Sequence, residues 1–401
     1  MKKVSIRKMI AVCLSALIVV ALLAGCGGTA APAATTAAAE TKKETEAPAA
    51  ETEAPAAETE APTEGKVELA KYKFAGDIVG QGVAALDDLA AEQQYVFEQI
   101  GSDFTIYNDN FTADTQTSNV QTIAASGFDG LALFGSHAEL YPAISEICEE
   151  AKLPFVFYDQ IPTTQEQIDE LNKNPYYFGS VGVDNYKLGV NIANEMVKNG
   201  VKEAIILGGR LGDVVHDARV NGFTDTFEAA GGKVVGVARC SNPSEATTKE
   251  DDLISANANA EATYCLTGDY AVSAIAALDN YPDRKMAIYS SDTTMESIPF
   301  IKDGTIVMGD GGGKIATILG STLIYNAVNG NPIMGPDGNV ALLNNCVALP
   351  ITAENADDYA ELFLKGHPMD INKLYELVGP DASYDKYQEF IANFSLENLK
   401  K

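Results

Sequence analysis

Short apolar stretches alternate with longer amphipathic stretches along most of this chain. The amphipathic segments, such as 83–100 and 185–198, have apolar positions three and four residues apart, which predicts helices. The apolar stretches are Tyr72–Val79, Phe104–Tyr107, Leu131–Phe134, Phe155–Tyr158, Tyr177–Val181, Ala204–Leu207, Val234–Ala238, Thr263–Leu266, Met286–Tyr289 and Ile306–Met308. Strands that are apolar on both faces and alternate with helices are typical of parallel sheets covered on both sides. Two series of about five strands predict two similar α/β lobes rather than one large sheet.

The first 26 residues are predicted to be an export signal. A basic start is followed by an uncharged apolar run of 16 residues, 9–24, which is shorter than the roughly 20 residues that a spanning helix needs. The run ends in Leu23-Ala24-Gly25-Cys26, which resembles the lipobox of bacterial lipoproteins and makes Cys26 the expected lipidation site. An uncleaved anchor helix is the alternative. Both interpretations place the rest of the chain outside the cytoplasm.

Residues 27–66 are predicted to be an acidic, disordered tether. They consist mainly of Ala, Thr, Glu and Pro, contain no aromatic residue, and repeat ETEAPAA at 44–50 and 51–57. Such a composition cannot bury enough apolar area to offset chain entropy, so we expect an extended, solvated segment. A folded acidic helix is the alternative.

The chain is strongly acidic. Its 401 residues include 28 Lys and Arg against 56 Asp and Glu, a net charge of −28. Because nucleic-acid binding depends on basic side chains that release counterions from phosphates, it is excluded as a function. The acidity is consistent with a cationic ligand or, more simply, with solubility.

Neither metal nor cofactor chemistry is indicated. The cysteines beyond the export segment are far apart and form no CxxC pair, and the chain has only three histidines. We therefore expect buried free thiols at Cys148, Cys240, Cys265 and Cys346, and no zinc site. The loop 309–314 is one residue short of a phosphate-binding loop and has Ile315 where Ser or Thr is needed. No catalytic motif assembles, so the chain is predicted not to be an enzyme.

Polar residues collect directly after the predicted strands. Ligands bind beyond the carboxyl ends of parallel strands, which makes these positions candidates for a site. Helix capping by Asp and Ser is the alternative at each of them. The positions are Gly76-Asp77, Asn108-Asp109, Gly135-Ser136-His137, Asp159-Gln160, Gly208-Gly209-Arg210, Thr267-Gly268-Asp269, Ser290-Ser291-Asp292 and Gly309-Asp310.

Several short motifs occur in the order found in one family. Over residues 71–352 the chain resembles the type I periplasmic binding proteins of ABC importers, in the ribose-binding-like branch. The motifs that carry the resemblance are FDGLAL at 128–133, LPFVFYD at 153–159, GVDN at 182–185 with Leu188-Gly189, RVNGF at 219–223, Gly268-Asp269, Asp292 with IKDG at 301–304, and ITAEN at 351–355.

This resemblance implies two Rossmann-like lobes with parallel sheets, joined by three hinge crossovers near 181–184, 310 and 345. The N-terminal lobe would hold residues 67–181 and 311–345. The C-terminal lobe would hold 182–310 and 346–365, and residues 366–401 would form a helical extension packed on the lobes. Closure of such lobes buries a ligand between them.

The resemblance also nominates ligand-binding residues. Asp159, Arg219, Asp269 and Asp292 match the family by position, and Gln160 stands where ribose binders often carry Arg. Carboxylates accept sugar hydroxyls and Arg donates in a fixed fork, so Asp159 and Arg219 are the best-supported pair, one from each lobe.

The chain departs from the family's sugar sites in one respect. The first strand–helix loop, 80–84, has no aromatic residue, and the chain has no Trp, so a ligand other than ribose is favoured. Tyr158, Tyr270 or Phe134 could supply an aromatic face instead. Further polar contacts are expected from Gln81, His137 and Asp310, although His137 also fits a solvated helix start.

Together these features predict a monomeric, lipid-anchored, extracytoplasmic protein that captures a sugar or polyol and delivers it to an ABC permease with its ATPase. A nucleoside-binding protein, or a receptor subunit for a chemosensory or quorum signal, is the alternative on the same fold.

Overall fold

The computed structural model describes residues 69–400. The predicted export signal, Cys26 and the tether 27–66 lie outside the described residues. Within the described part, no helix combines the length and apolarity required to cross a membrane. No group of side chains in residues 69–400 forms a potential metal site.

Six strands form the first sheet, and all neighbouring pairs are parallel. The spatial order is β11-β5-β4-β3-β1-β2. The strands are β1 (Lys73–Ile78), β2 (Asp103–Asn108), β3 (Gly130–Phe134), β4 (Phe155–Asp159), β5 (Tyr177–Val183) and β11 (Leu342–Cys346).

The second sheet also has six strands, in the order β12-β10-β9-β8-β6-β7. Only the short edge strand β12 runs antiparallel, against β10. The strands are β6 (Glu203–Gly208), β7 (Lys233–Arg239), β8 (Ala262–Cys265), β9 (Ala287–Ser290), β10 (Ile306–Gly311) and β12 (Leu349–Ile351).

Helices cover both sheets. Those that follow strands of the first sheet are α1 (Ala84–Gln99), α2 (Ala113–Ala125), α3 (Tyr141–Ala151) and α4 (Gln165–Leu171). Those that follow strands of the second are α5 (Asn185–Lys198), α6 (Val214–Ala229), α7 (Ala246–Ala256), α8 (Gly268–Leu278) and α9 (Ile298–Lys302). Helix α10 (Lys314–Val328) returns to the first sheet, where it contacts β3, β4 and β5.

The observed strands agree closely with the predicted ones because most are buried on both faces. In β3 every residue is buried, and in β1 and β6 all but the first are. The predicted fold class, two lobes with parallel sheets, is confirmed. The four cysteines of the described part are buried and free, as expected.

The chain passes between the sheets three times, as expected for this fold. It crosses after Val183, returns after Gly311, and crosses again after Cys346. The carboxyl ends of both sets of parallel strands therefore face a common cleft, which is where residues directly after the strands are brought together.

The C-terminal segment adds a fourth passage, which the sequence did not predict. It contains α11 (Ala356–Tyr359), a π-helical turn (Ala360–Leu364), α12 (Ile371–Glu376), α13 (Tyr384–Asn393) and α14 (Leu396–Leu399). Helix α11 lies against α9 of the second lobe, whereas α13 contacts β11 of the first. The segment thus begins on one lobe and continues onto the other.

Candidate ligand-binding site

A cavity of about 330 Å³ lies at the carboxyl ends of the strands of both lobes. The first lobe contributes a group of apolar residues, called the apolar side, together with the polar residues Asp88, Asp159, Gln160 and Lys314. The second lobe contributes most of the remaining polar residues, called the polar side. The apolar side includes Val79, Val83, Leu86, Leu89, Phe111 and Phe134. The polar side includes Asn185, Asp213, His216, Arg219, Thr267, Asp292 and Thr293.

An ion pair between Arg219 and Asp292 organises the polar side. Both terminal nitrogens of the guanidinium bond to the carboxylate, Nη1 to Oδ2 at 2.6 Å and Nη2 to Oδ1 at 3.2 Å. Nη1 also donates to the Leu266 carbonyl at 2.8 Å, and Nε donates to Asn185 Oδ1 at 3.0 Å. These bonds occupy four of the five N–H groups of a guanidinium, and the remaining one, on Nη2, has no partner among residues 69–400.

Asp310 holds the loop that carries Asp292 by hydrogen bonds. Its side chain is only 2% exposed, and it accepts hydrogen bonds from the backbone N–H of Asp292 at 3.0 Å and from Ser291 Oγ at 3.1 Å. Burial raises the pKa of Asp310 to about 7, and the nearby Arg219 charge opposes that rise. Asp310 therefore fixes the loop that carries Asp292 and does not border the cavity itself.

Asp159 faces the ion pair from the first lobe. It is the last residue of β4, lines the cavity, and has a left-handed backbone with φ of 65°. Asp292 has the same unusual conformation, with φ of 55°. Such backbones are uncommon outside glycine and cluster at functional sites. Both carboxylates are therefore held at this edge by backbone that is costly to adopt.

The Asp159 carboxylate has no hydrogen-bond or ion-pair partner among residues 69–400. Burial raises the pKa of Asp159 to about 7, helped by the Asp292 charge and opposed by Arg219. A partly buried carboxylate without donors from the protein is unfavourable. It is, however, a strong acceptor for a ligand that brings donors.

His216 presents a further polar atom. Its Nδ1 accepts a hydrogen bond from the backbone N–H of Gly209 at 2.6 Å, which places the proton of the neutral ring on Nε2. Burial lowers the pKa of His216, and the Arg219 charge lowers it further, so the neutral ring is favoured. Asp213 orients this turn because it caps α6 by accepting from Val215 N and His216 N.

Phe111 provides the exposed aromatic surface of the cavity. The side chain is 53% exposed although its ring packs directly on Gly80, where an added Cβ would meet ring atoms at 2.2 Å. Its backbone is left-handed, with φ of 61°, and its N–H donates to the Val79 carbonyl at 2.7 Å. A bulky residue in this conformation is a true outlier, so the ring is held at the cleft against a conformational cost.

The sequence nominated eight ligand-binding residues, and the structure brings four of them together at the cavity. These are Asp159, Gln160, Arg219 and Asp292.

Of the three aromatic residues expected to supply a ring face, one lines the cavity and two do not. Phe134 lines the cavity, whereas Tyr158 is fully buried with its hydroxyl donating to the Asp77 carbonyl, and Tyr270 is 6% exposed outside the lining.

Among the described residues, the other four nominated side chains lie outside the cavity lining. Gln81 is exposed, and its neighbours Val79 and Val83 line the cavity instead. Asp269 is exposed in the first turn of α8, while the capping residue Thr267 takes the lining position. His137 heads a 3₁₀ turn beside Glu139, with Nδ1 3.5 Å from its carboxylate. Asp310 lies beneath Asp292, as described above.

Sequence reasoning missed several lining residues. His216 and Asp213 belong to the start of α6, three residues and more before the recognised Arg219 motif. Phe111 lies two residues after Asn108-Asp109, a polar pair at the end of a predicted strand, so its position was a signal for a residue near the cleft. Tyr359 and Leu364 come from the C-terminal segment, where no sequence signal indicated a site.

A family model described as a periplasmic binding protein domain matches residues 79–329, which is more than half of the chain. This chain belongs to that family. Periplasmic binding proteins bind solutes outside the cytoplasm and do not catalyse reactions, so the predictions of a non-enzymatic, extracytoplasmic binding protein are confirmed.

Solved structures show the same fold at low identity. A glucose-galactose binding protein from Geobacillus stearothermophilus is 20% identical, with a TM-score of 0.60 over 71% of this chain and 99% of its own. An ABC transporter solute-binding protein from Actinobacillus succinogenes with bound D-allose is 16% identical, with a TM-score of 0.63 over 72% and 100%. A solute-binding protein from Bacillus halodurans with bound myo-inositol is also 16% identical, with a TM-score of 0.60 over 73% and 98%. No curated protein sequence matches this chain.

Substitutions of Asp292 and Asp159 are expected to affect stability in opposite directions. Asp292→Asn breaks the pair with the 6%-exposed Arg219, so we expect it to lower the free energy of unfolding by about 1.5–3 kcal/mol.

Asp159 has a folded-state pKa of about 7, above its unfolded value of about 3.9. The folded protein therefore favours protonated Asp159, and the stability that this contributes is lost as the pH rises through about 7. Asp159→Asn should therefore stabilise the empty protein at pH 8 and change it little at pH 4.

Urea unfolding of the full chain at both pH values measures these effects. Equal destabilisation by the two substitutions at pH 8 would contradict the description of Asp292 as paired and Asp159 as unpaired.

Proposed function

We propose that this periplasmic binding protein is a monomeric, lipid-anchored receptor that captures a neutral sugar or polyol between its lobes. It delivers the solute to an ABC permease driven by its ATPase. The observation that carries the proposal is the unpartnered Asp159 carboxylate opposite the one open N–H of Arg219. A sugar hydroxyl both donates and accepts, so neighbouring hydroxyls satisfy the two groups together.

The apolar side of the cavity supports a ring-shaped ligand. Phe111 and Phe134 lie on the first-lobe side, opposite the polar groups of the second lobe. A sugar ring has hydroxyl groups at its edge and C–H groups on its faces, so its two surfaces match this division. The exposed ring of Phe111 also suits the flat base of a nucleoside, which is the second candidate ligand.

The charges of the lining favour a neutral ligand over an anionic one. Four carboxylates border the cavity, those of Asp88, Asp159, Asp213 and Asp292. Arg219 and Lys314 are the basic lining residues, and each is already bonded to a carboxylate. A sugar acid or sugar phosphate would therefore meet uncompensated negative charge.

The similar structures support both the ligand class and the transport role. They include proteins named as glucose-galactose binding and as ABC transporter solute-binding proteins with D-allose or myo-inositol bound. The lipobox-like sequence at Cys26 and the acidic segment after it support anchoring to the cell membrane, with a tether that leaves the folded part free to reach the permease.

Thermal melting of the full chain tests the proposed ligand class. The panel contains D-galactose, D-allose, L-arabinose, myo-inositol and adenosine, together with D-galacturonate as the charged match of D-galactose. A ligand at 1,000 times its dissociation constant adds about 4 kcal/mol to the free energy of unfolding, which is a large shift in melting temperature. We expect such a shift from at least one neutral sugar or polyol and none from D-galacturonate. A shift from adenosine alone would replace the sugar by a nucleoside, and a shift from D-galacturonate would contradict the charge argument.

Cys26→Ala tests the anchor, with Cys13→Ala, inside the apolar run 9–24, as its matched control. Cells that express the full chain are fed an alkyne-labelled fatty acid, and the protein is then partitioned between detergent and water. We expect label and detergent partitioning for the unaltered chain and for Cys13→Ala, and loss of the label for Cys26→Ala. Membrane association without label in all three proteins would instead indicate an uncleaved anchor helix.

A further inference from the structure

The fourth passage between the lobes borders the ligand cavity directly. Tyr359 and Leu364 both line the cavity, although they lie beyond residue 329, where the family match ends. Between them is a π-helical turn, a local irregularity that is rare and frequent at functional sites. One wall of the site is thus built by a segment outside the recognised domain.

One end of this segment is fixed to the second lobe and to a hinge crossover. Asp357 of α11 pairs with Lys302 of α9 at 2.7 Å. The Tyr359 ring covers Gly311, where an added Cβ would meet ring atoms at 2.4 Å, and its hydroxyl accepts from the Gly312 N–H at 3.2 Å. Tyr359 is 5% exposed, so this end is packed in place.

The other end is fixed to the first lobe by a buried ionic cluster. Glu92 of α1 is fully buried, with Oε2 at 3.3 Å from Lys314 Nζ and 2.8 Å from His367 Nδ1. Lys314, at the start of α10, also donates to the carbonyls of Phe363 and Gly366. The His367 ring stacks on Tyr95 with centroids 3.6 Å apart. Two helices of the first lobe therefore hold residues 363–367.

Beyond this cluster, α13 and the segment before it pack on the first lobe, and Lys400 after α14 reaches back to pair with Asp358 of α11. Tyr387 of α13 is fully buried and donates to Thr322 Oγ1 of α10 at 2.8 Å. Asn326 of α10 donates to the Leu377 carbonyl at 2.8 Å and accepts from the Gly379 N–H at 2.9 Å. Few residues thus separate firm attachment on one lobe from firm attachment on the other.

We propose that residues 359–367 act as a strap that completes the ligand cavity and limits how far the two lobes separate. The binding role of the strap rests on the proposed function, whereas its effect on opening does not. Rigid-body hinge opening must stretch or release any short segment fixed to both lobes. The strap therefore keeps the empty protein closer to the ligand-bound arrangement than three hinge crossovers alone would, and Leu364 contributes to the choice of solute.

The opening is measured in the full, unliganded chain by the distance between two spin labels. The labels are attached to p-acetylphenylalanine at Glu139 and Leu211, two exposed residues that follow β3 and β6 on opposite sides of the cleft. The test variant carries Gly-Ser-Gly inserted between Glu361 and Leu362, at an exposed point of the π-helical turn. The control carries the same insertion after Gly338, in an exposed turn of the first lobe.

We expect a longer mean distance and a wider distribution in the strap variant, and the unaltered distribution in the control. Unchanged distances in a strap variant that melts cooperatively would overturn the proposal.

Leu364→Ala tests the cavity wall separately, with the partly buried Leu362→Ala as the control outside the lining. The readout is the melting shift produced by each of D-galactose, D-allose, L-arabinose and myo-inositol. We expect Leu364→Ala to weaken binding roughly 5- to 30-fold and Leu362→Ala to leave it unchanged, as truncation of one side chain in a ligand contact implies. Equal ligand-induced melting shifts in the Leu364→Ala and Leu362→Ala variants would show that Leu364 does not contact the ligand. Absence of any shift in the unaltered chain would count against the proposed function, and the spin-label distances would still decide whether the strap limits opening.

Discussion

The bidentate pair between Arg219 and Asp292 is the interaction on which the rest of the site depends. Because the guanidinium is almost fully buried, its charge needs a partner, and Asp292 supplies one from a strained loop supported by Asp310. The pair neutralises the Arg219 charge within the second lobe and, with two further bonds, leaves one N–H open. Asp159 is consequently left on the opposite wall without a cation of its own among the described residues. The cleft therefore combines one open donor with one carboxylate acceptor that has no protein partner.

Asp159 and Phe111 are held in arrangements that cost folding free energy. Asp159 is partly buried, repelled by the Asp292 charge, and set on a left-handed backbone, and each of these features costs folding free energy. Phe111, on the same lobe, is exposed and has a strained backbone. The proposed sugar or polyol, with hydroxyl groups at its edge and an apolar face, would relieve both. The positions that lower the stability of the unliganded protein are thus the positions where ligand contacts are proposed.

The sequence predicted the lobes well because parallel strands buried on both faces are apolar throughout. It did not predict β11, whose Leu-Leu-Asn-Asn-Cys sequence has two exposed asparagines at the sheet edge, or β12, which has three residues. A position directly after a strand does not determine whether the side chain points into the cleft. Asp310 lies within β10 and bonds beneath Asp292, and Asp269 turns outward from its helix. The strap was beyond prediction because its amphipathic pattern shows that it packs, but not that it packs on both lobes.

The most direct test of the account is calorimetric affinity for the neutral panel solute that gives the largest melting shift, measured with Asp159→Asn and Asp269→Asn. Both substitutions remove one carboxylate on the cleft side of the molecule, but only Asp159 lines the cavity. We expect Asp159→Asn to weaken binding by about 1.5–3 kcal/mol, the cost of a lost hydrogen bond to a charged group. Asp269→Asn should leave the affinity unchanged. Unaltered affinity in Asp159→Asn, or an equal loss in both variants, would contradict the assignment of the site.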